Sequence, residues 1–301
     1  MSAGFDVRIT ADAAAFLDRA GAWLAGDPVT STVLTTISAR AKEEAARGED
    51  PSTGLPHWWF ATVHGRSGEV VGAAMRTAPF VPYPPYLLAM PEAAAEALAD
   101  VLVDRGEEVL GANGLRPAAD VFAARVVART GGTVAVTLHT RLFELTELVR
   151  PPAAPGRLRL VRPAEAELAL DWLTRFFGDA DEQAGRRPGE GHAEHASMGD
   201  VQRKLREQGL WFWVDGDDVP VSMVGATPPA YGVTRIAPVF TPKDLRGHGY
   251  ASNAVAEVSQ LLLDRGARVT LFTDQANPTS NRIYQALGYR PVVDTVDLRI
   301  S

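Results

Sequence analysis

The chain has 301 residues, 30 basic and 37 acidic, for a formal net charge of −7, with 46% apolar and 22% charged residues. This is an ordinary globular composition; it excludes a disordered or fibrous protein, and without clustered Lys and Arg it offers no footprint for a nucleic-acid backbone. Cysteine is absent, which removes disulfides, thiolate zinc sites and a cysteine nucleophile.

The length predicts two units, each able to bury its own core. At the N-terminus Asp6, Arg8 and Asp12 interrupt the apolar positions, so no secretory pattern forms, and no apolar run reaches the ~18 residues of a membrane helix. The expectation is a cytoplasmic protein.

In chain order, Phe5–Thr10 reads as a strand followed by an Ala/Leu-rich helical pattern. Trp58–Val63 and Val70–Met75 are two strand runs separated by a polar, glycine-containing turn. Pro79–Met90 follows, with four prolines and no glycine. Val103-Asp-Arg-Gly106 closes a helix with Gly at its end, and Ala118–Arg129 is a further helix with Val121, Phe122, Arg125 and Val126 along it. Arg150–Gly156, with three prolines and a glycine, cannot continue a helix or a central strand and is predicted as a linker at 150–156 between domains 1–149 and 157–301.

The second half echoes the first. Leu158–Pro163 answers the first strand, Leu210–Val214 with Val219–Gly225 answers the hairpin, and Leu263-Asp-Arg-Gly266 answers Val103–Gly106. A duplicated domain is the implication. Asp179, Asp181, Glu182 and Glu194 lie in a polar segment and are expected to be solvated. His192-Ala-Glu-His195 has no further His or Cys nearby to complete a metal site, and no metal is expected.

From Arg235 the pattern sharpens. Arg235–Phe240 is a strand and Thr241–Gly249 a polar loop. In the helix Tyr250–Arg265, the residues Ala251, Ala254, Val255, Val258, Leu261 and Leu262 share one face. Arg268–Thr273 is a buried strand, Asn277 an N-cap with Pro278 at the first helical position, Gly288 a stop, and Val292–Ile300 a closing strand. Such an order is α/β.

Arg246-Gly-His-Gly-Tyr-Ala251 joins a strand to a helix N-terminus through two glycines. Such a loop can turn successive N–H groups toward an anion such as a diphosphate, or it can simply turn a corner. A Rossmann site is disfavoured because Ser252 stands where G-x-G-x-x-G needs Gly or Ala, and no G-x-x-x-x-G-K-[ST] loop occurs. Further on, Asn277, Ser280, Asn281 and Tyr284 fall on one helix face.

The two segments together resemble the GNAT superfamily of N-acetyltransferases. Arg246-x-x-Gly249-x-Ala251 is similar to its R-x-x-G-x-G/A signature, and Asn277–Tyr289 to its N…LYxxLGF segment. The resemblance covers residues 233–300 and implies two GNAT-like domains, each a mixed, mostly antiparallel sheet flanked by helices (α+β in some schemes). It further implies acetyl-CoA or another acyl-CoA as co-substrate and an amine of a small molecule or peptide as acceptor, while composition and hydropathy lead to the expectation of neither nucleic acid nor membrane as partner; the oligomeric state stays open. The pyrophosphate would lie on the backbone of Gly247, His248, Gly249, Tyr250, Ala251 and Ser252, with Arg246 steadying the loop. Val239, Phe240, Thr241, Asn277 and Ser280 would hold the pantetheine arm, and Tyr284 would act as the general acid. The first half resembles a degenerate copy, because the prolines of Pro79–Met90 lack N–H groups and cannot form an anion-binding loop. The alternative is a non-catalytic CoA-binding sensor or interaction module.

Overall fold

The computed structural model describes residues 4–183 and 196–301. His192, Glu194, His195 and the side chain of Asp181 lie outside what it describes. The elements run β1 (Asp6–Thr10), α1 (Ala13–Gly26), α2 (Thr32–Ala46), β2 (Trp59–His64), β3 (Val70–Arg76), β4 (Tyr86–Leu87), α3 (Glu92–Asp104), β5 (Gly111–Leu115), α4 (Ala118–Thr130) and β6 (Val134–Leu145). They continue with β7 (Arg157–Leu160), α5 (Ala166–Gln183), α6 (Met198–Arg206), β8 (Leu210–Val214), β9 (Pro220–Ala226), β10 (Val233–Phe240), α7 (Tyr250–Asp264), β11 (Arg268–Asp274), α8 (Pro278–Ala286) and β12 (Tyr289–Ile300). Among the described residues, and apart from short 3-10 turns, the second ten elements repeat the order of the first ten.

The chain divides into two compact units. Residues 1–140 with 293–301 form the first, and residues 141–292 the second. This differs from the division at 150–156, and the reason is local. Trp213 Nε1 donates to the Pro155 carbonyl at 2.8 Å, Asn253 Nδ2 to the Pro152 carbonyl at 3.0 Å, and the Val149 amide to the Leu287 carbonyl at 3.0 Å. The proline segment is therefore an arm bound along the second unit.

In the first unit β1, β2, β3 and β4 pair antiparallel in sequence, β4 and β5 pair parallel, and β5 pairs antiparallel with β12 over Thr295–Arg299. In the second, β7, β8, β9 and β10 pair antiparallel, β10 and β11 pair parallel, and β11 is hydrogen-bonded to β6. Each sheet thus takes its last strand from the other half of the sequence. Both sheets are covered on two faces, so β2 and β8 are buried throughout and alternate between two cores. In β8, Trp211 and Trp213 join the α7 core, whereas Leu210, Phe212 and Val214 join Trp172 of α5 and Val201 of α6.

The helix ends echo each other in atomic detail. Gly106 and Gly266 take φ of +72° and +79°. The amides of Glu107 and Ala267 reach back to the carbonyls of Leu102 and Leu262 at 3.0 and 3.1 Å, the left-handed closure that glycine permits. In α7, Ala254, Val255, Val258 and Leu262 are buried as their spacing predicts, whereas Leu261 is 38% exposed. The polar segment after Leu173 continues α5 to Gln183, so Asp179 and Glu182 stand on a helix.

Candidate functional site

Within the second unit, β10 and β11 pair for only three residues, Val233–Arg235 with Arg268–Thr270. Beyond Arg235, β10 also slips by one residue against β9: Ile236 faces Ala226 and Val239 faces Val224. A bulge of this kind bends a strand and leaves a residue out of the ladder. The two strands consequently flank a cavity of about 570 Å³, with Ile236–Thr241 on one wall and Phe272–Asp274 on the other. The strand end is pinned from behind, since the buried Ser222 hydroxyl donates to the Phe240 carbonyl at 3.0 Å and bonds the Thr241 hydroxyl at 2.9 Å.

The loop after β10 closes one end of the cavity. Arg246 does not project into it freely: Nε donates to the Thr241 carbonyl at 3.0 Å and an Nη to Asp179 at 2.6 Å. Lys243 bonds Glu182, which holds that carboxyl below its usual range, and lies 3.7 Å from Asp179. Of the acids expected to be solvated, Asp179 is instead largely buried as a tether between α5 and the loop, whereas Glu182 remains exposed to solvent while it pairs with Lys243. Gly247 and Gly249 adopt φ of +84° and +79°, values that side-chain-bearing residues rarely adopt. Gly249 caps α7, whose first turn holds no acidic residue. The amides of Tyr250, Ala251 and Ser252 have no intrahelical acceptor and carry the positive end of the helix dipole. Gly247, Gly249, Tyr250, Ala251 and Ser252 all line the cavity. His248 does not; its ring stacks on Tyr250 at 5.4 Å and its Nδ1 lies 3.2 Å from the Leu245 carbonyl. Its predicted contribution can come only from its backbone.

The α8 wall brings Asn277, Ser280 and Tyr284 to the same cavity. Asn277 caps the helix, its oxygen accepting from the Ser280 amide at 3.0 Å with Pro278 at the first position. Asn281, expected on the ligand-facing stripe, turns away. Its Nδ2 donates to the carbonyls of Asp274 and Asn277 at 3.0 and 2.8 Å, and its oxygen accepts from Thr273. It staples the β11–α8 turn. Tyr284 is half-buried, its ring edge against Tyr289 at 6.0 Å, and burial raises its phenol above the ordinary value. It therefore stays protonated at neutral pH, as a proton donor must.

Sequence reasoning missed Phe176, Phe272 and Arg282, which also line the cavity, because nothing in their own segments distinguishes them from ordinary helix and strand residues. Among the described residues, no group of three or more His, Asp or Glu could hold a metal, and no helix is long and apolar enough to cross a membrane.

A model of the acetyltransferase (GNAT) family matches residues 168–289. The whole chain also shares its fold with solved structures. A GCN5-related N-acetyltransferase from Sphaerobacter thermophilus is 20% identical with a TM-score of 0.59, over 98% of this chain and 95% of that one. A Drosophila protein is 13% identical with a TM-score of 0.62, over 98% of both chains. A tandem GNAT protein from the clavulanic acid biosynthesis pathway is 13% identical with a TM-score of 0.53, again over 98% of both. Comparison with curated proteins gives no match. The GNAT match thus covers residues 168–289, and the chain as a whole has the fold of these solved structures, a tandem GNAT protein among them.

Proposed function

We propose that the second unit is an acetyl-CoA-dependent N-acetyltransferase that passes its acyl group directly to an amine of a small molecule or peptide. The observation that carries this reading is the meeting, in one cavity, of a bulged strand that has left its neighbour, a two-glycine helix start and a half-buried tyrosine. Bound acetyl-CoA would supply an activated acetyl thioester. The residues present fit it. A Cβ at Gly247 would find no atom within 4 Å and one at Gly249 only ordinary contacts at 3.6 Å, both at positive φ, and the first-turn amides of α7 are donors suited to a diphosphate. The backbone of Val239–Thr241, with Asn277 and Ser280, would hold the amide-bearing arm, and the Val239 amide would polarise the acyl carbonyl. Tyr284 holds the proton at Oη that the departing sulfur requires. Arg246 and Asp179 keep the loop in place.

Calorimetric titration with acetyl-CoA, followed by free-thiol release across a panel of an arylalkylamine, an aminoglycoside and a short peptide, tests the proposal. One bound acetyl-CoA per chain with amine-dependent thiol release is expected. Binding without turnover of any amine would replace the enzyme by a CoA-binding module, and no binding would overturn both.

A further inference from the structure

Lys204, near the end of α6, carries none of the sequence patterns that mark the site. Its Nζ nevertheless donates to the Ala237 carbonyl at 3.2 Å, inside the β10 bulge. Because Ile236 faces Ala226 and Val239 faces Val224, Gly225 alone stands opposite both Ala237 and Pro238. A Cβ on Gly225 would sit 2.6 Å from the Ala237 oxygen and 2.8 Å from Pro238 Cδ. The Ala237 carbonyl therefore rests against bare backbone and is held by the lysine. Pro238 has no N–H, so the next amide that can serve the cavity is that of Val239. The direction of that amide follows from how the preceding peptides are fixed.

Taking the acyl-transfer reading as given, we infer that Lys204 is a positioning residue: by holding the Ala237 carbonyl it fixes the bulge and keeps the Val239 amide aimed at the acyl carbonyl. Its charge assists the bond to Ala237. Burial lowers the Lys204 pKa to about 8; Arg203 and Arg235 push the same way, while Glu207 and Asp200 oppose them. The ammonium is thus present at pH 7 and is lost as pH rises through about 8, whereas an arginine at this place would keep its charge throughout.

The test needs no acceptor. Full-length wild type, Lys204→Met, Lys204→Gln and Lys204→Arg are titrated with acetyl-CoA labelled with carbon-13 at the thioester carbonyl, and the carbonyl stretch of the bound form is recorded by difference infrared spectroscopy. Wild type is expected to shift the stretch to lower frequency at pH 7 and to lose part of that shift above pH 8. Lys204→Met and Lys204→Gln should bind acetyl-CoA within about twofold of wild type but lose most of the shift, with single-turnover acetyl transfer about tenfold slower. Lys204→Arg should restore both and remove the pH dependence. An unchanged stretch in both neutral variants, or equal losses of shift and affinity, or no recovery with arginine, would overturn the inference; so would a wild-type complex with no shift at all. Failure of wild type to bind acetyl-CoA would instead overturn the acyl-transfer reading. Lys204 is half-buried on a helix surface, and Lys204→Gln keeps a polar end there should the methionine variant not fold.

Discussion

The two units repeat one order of elements, yet the strand pair beside the long helix opens in the second and stays closed in the first. In the first unit β4 has two residues and stays paired with β5, Tyr86 with Asn113 and Leu87 with Gly114. A Cβ on Gly114 would lie 2.1 Å from the Leu87 carbonyl oxygen, so backbone closely approaches backbone there. In the second unit β10 has eight residues and leaves β11 after three pairs. Helix α3 starts at Pro91 with Glu92 in its first turn, a missing N–H and a carboxylate where α7 has Gly249 and no acid. Seven residues past the cap, α4 carries an exposed Ala124 and α8 carries Tyr284. The proline-rich stretch of the first unit is itself tied down. The buried Arg76 donates to the Tyr83 carbonyl at 2.8 Å, the Glu108 carbonyl at 2.7 Å and Glu107 at 3.1 Å. Two units with one order of elements can thus differ in the backbone geometry at the corresponding strand pair and helix start.

The strongest way to break the equivalence of the scaffolds is to remove 293–301. Val296, Leu298 and Ile300 are buried in the first unit's core, and at roughly 1.5–3 kcal/mol for each aliphatic side chain their loss should cost about 5–9 kcal/mol, an upper range because unfolded chains already bury some of this surface. Thermal unfolding should show the first unit melting early, and an unchanged transition would mean that β12 does not complete that sheet.

Gly249→Val tests the loop. The positive φ strains a β-branched residue, although Ala154 and Asn253, each 3.6 Å from a Cβ at this position, stand at ordinary contact distance. Acetyl-CoA affinity should fall at least about 100-fold with cooperative unfolding retained; calorimetry that finds wild-type affinity in a folded variant would remove the diphosphate from this loop.

Tyr284→Phe should slow single-turnover transfer about 10²-fold, toward the lower end of general-acid effects because a thiolate leaves readily, and should change acetyl-CoA affinity less than about twofold. An unchanged rate would take the hydroxyl out of the reaction. A parallel loss of rate and affinity would make it a binding group.

A smaller effect is expected where Arg246 meets Asp179. Asp179→Asn and Arg246→Ala should each weaken acetyl-CoA binding about three- to fivefold, and the double variant no further, because the pair acts as one tether and is partly exposed to solvent. Additive losses would show two separate contributions.

The smallest effect sharpens the comparison from the other side. Glu92→Gln removes the acid from the first turn of α3, yet the titration should still give one acetyl-CoA per chain, since Pro91 and the closed β4–β5 pair remain. A second binding event would show that the carboxylate alone disabled the first unit.

The sequence by itself determined much of this. The 3.6-residue spacing of Ala254, Val255, Val258 and Leu262, the Asn277–Pro278 start and the glycine-closed helix ends are local preferences, so the elements and their repetition could be read directly, and so could the glycine loop and Tyr284. Only the tertiary structure decided the rest. Arg150–Gly156 looks like a linker, but Trp213 and Asn253 bind it to the second unit, and the exchange of β6 and β12 arises from strand pairing between residues more than 100 positions apart. Asn281 shares a helix face with Tyr284, but its amide is drawn to the carbonyls of the preceding turn. Lys204 and Ala237 are 33 residues apart and meet because a bulge frees one carbonyl beside a lysine on a neighbouring helix. A chain's local pattern fixes which way a backbone can run; which polar groups are left without a partner, and what reaches them, is settled only when distant segments pack.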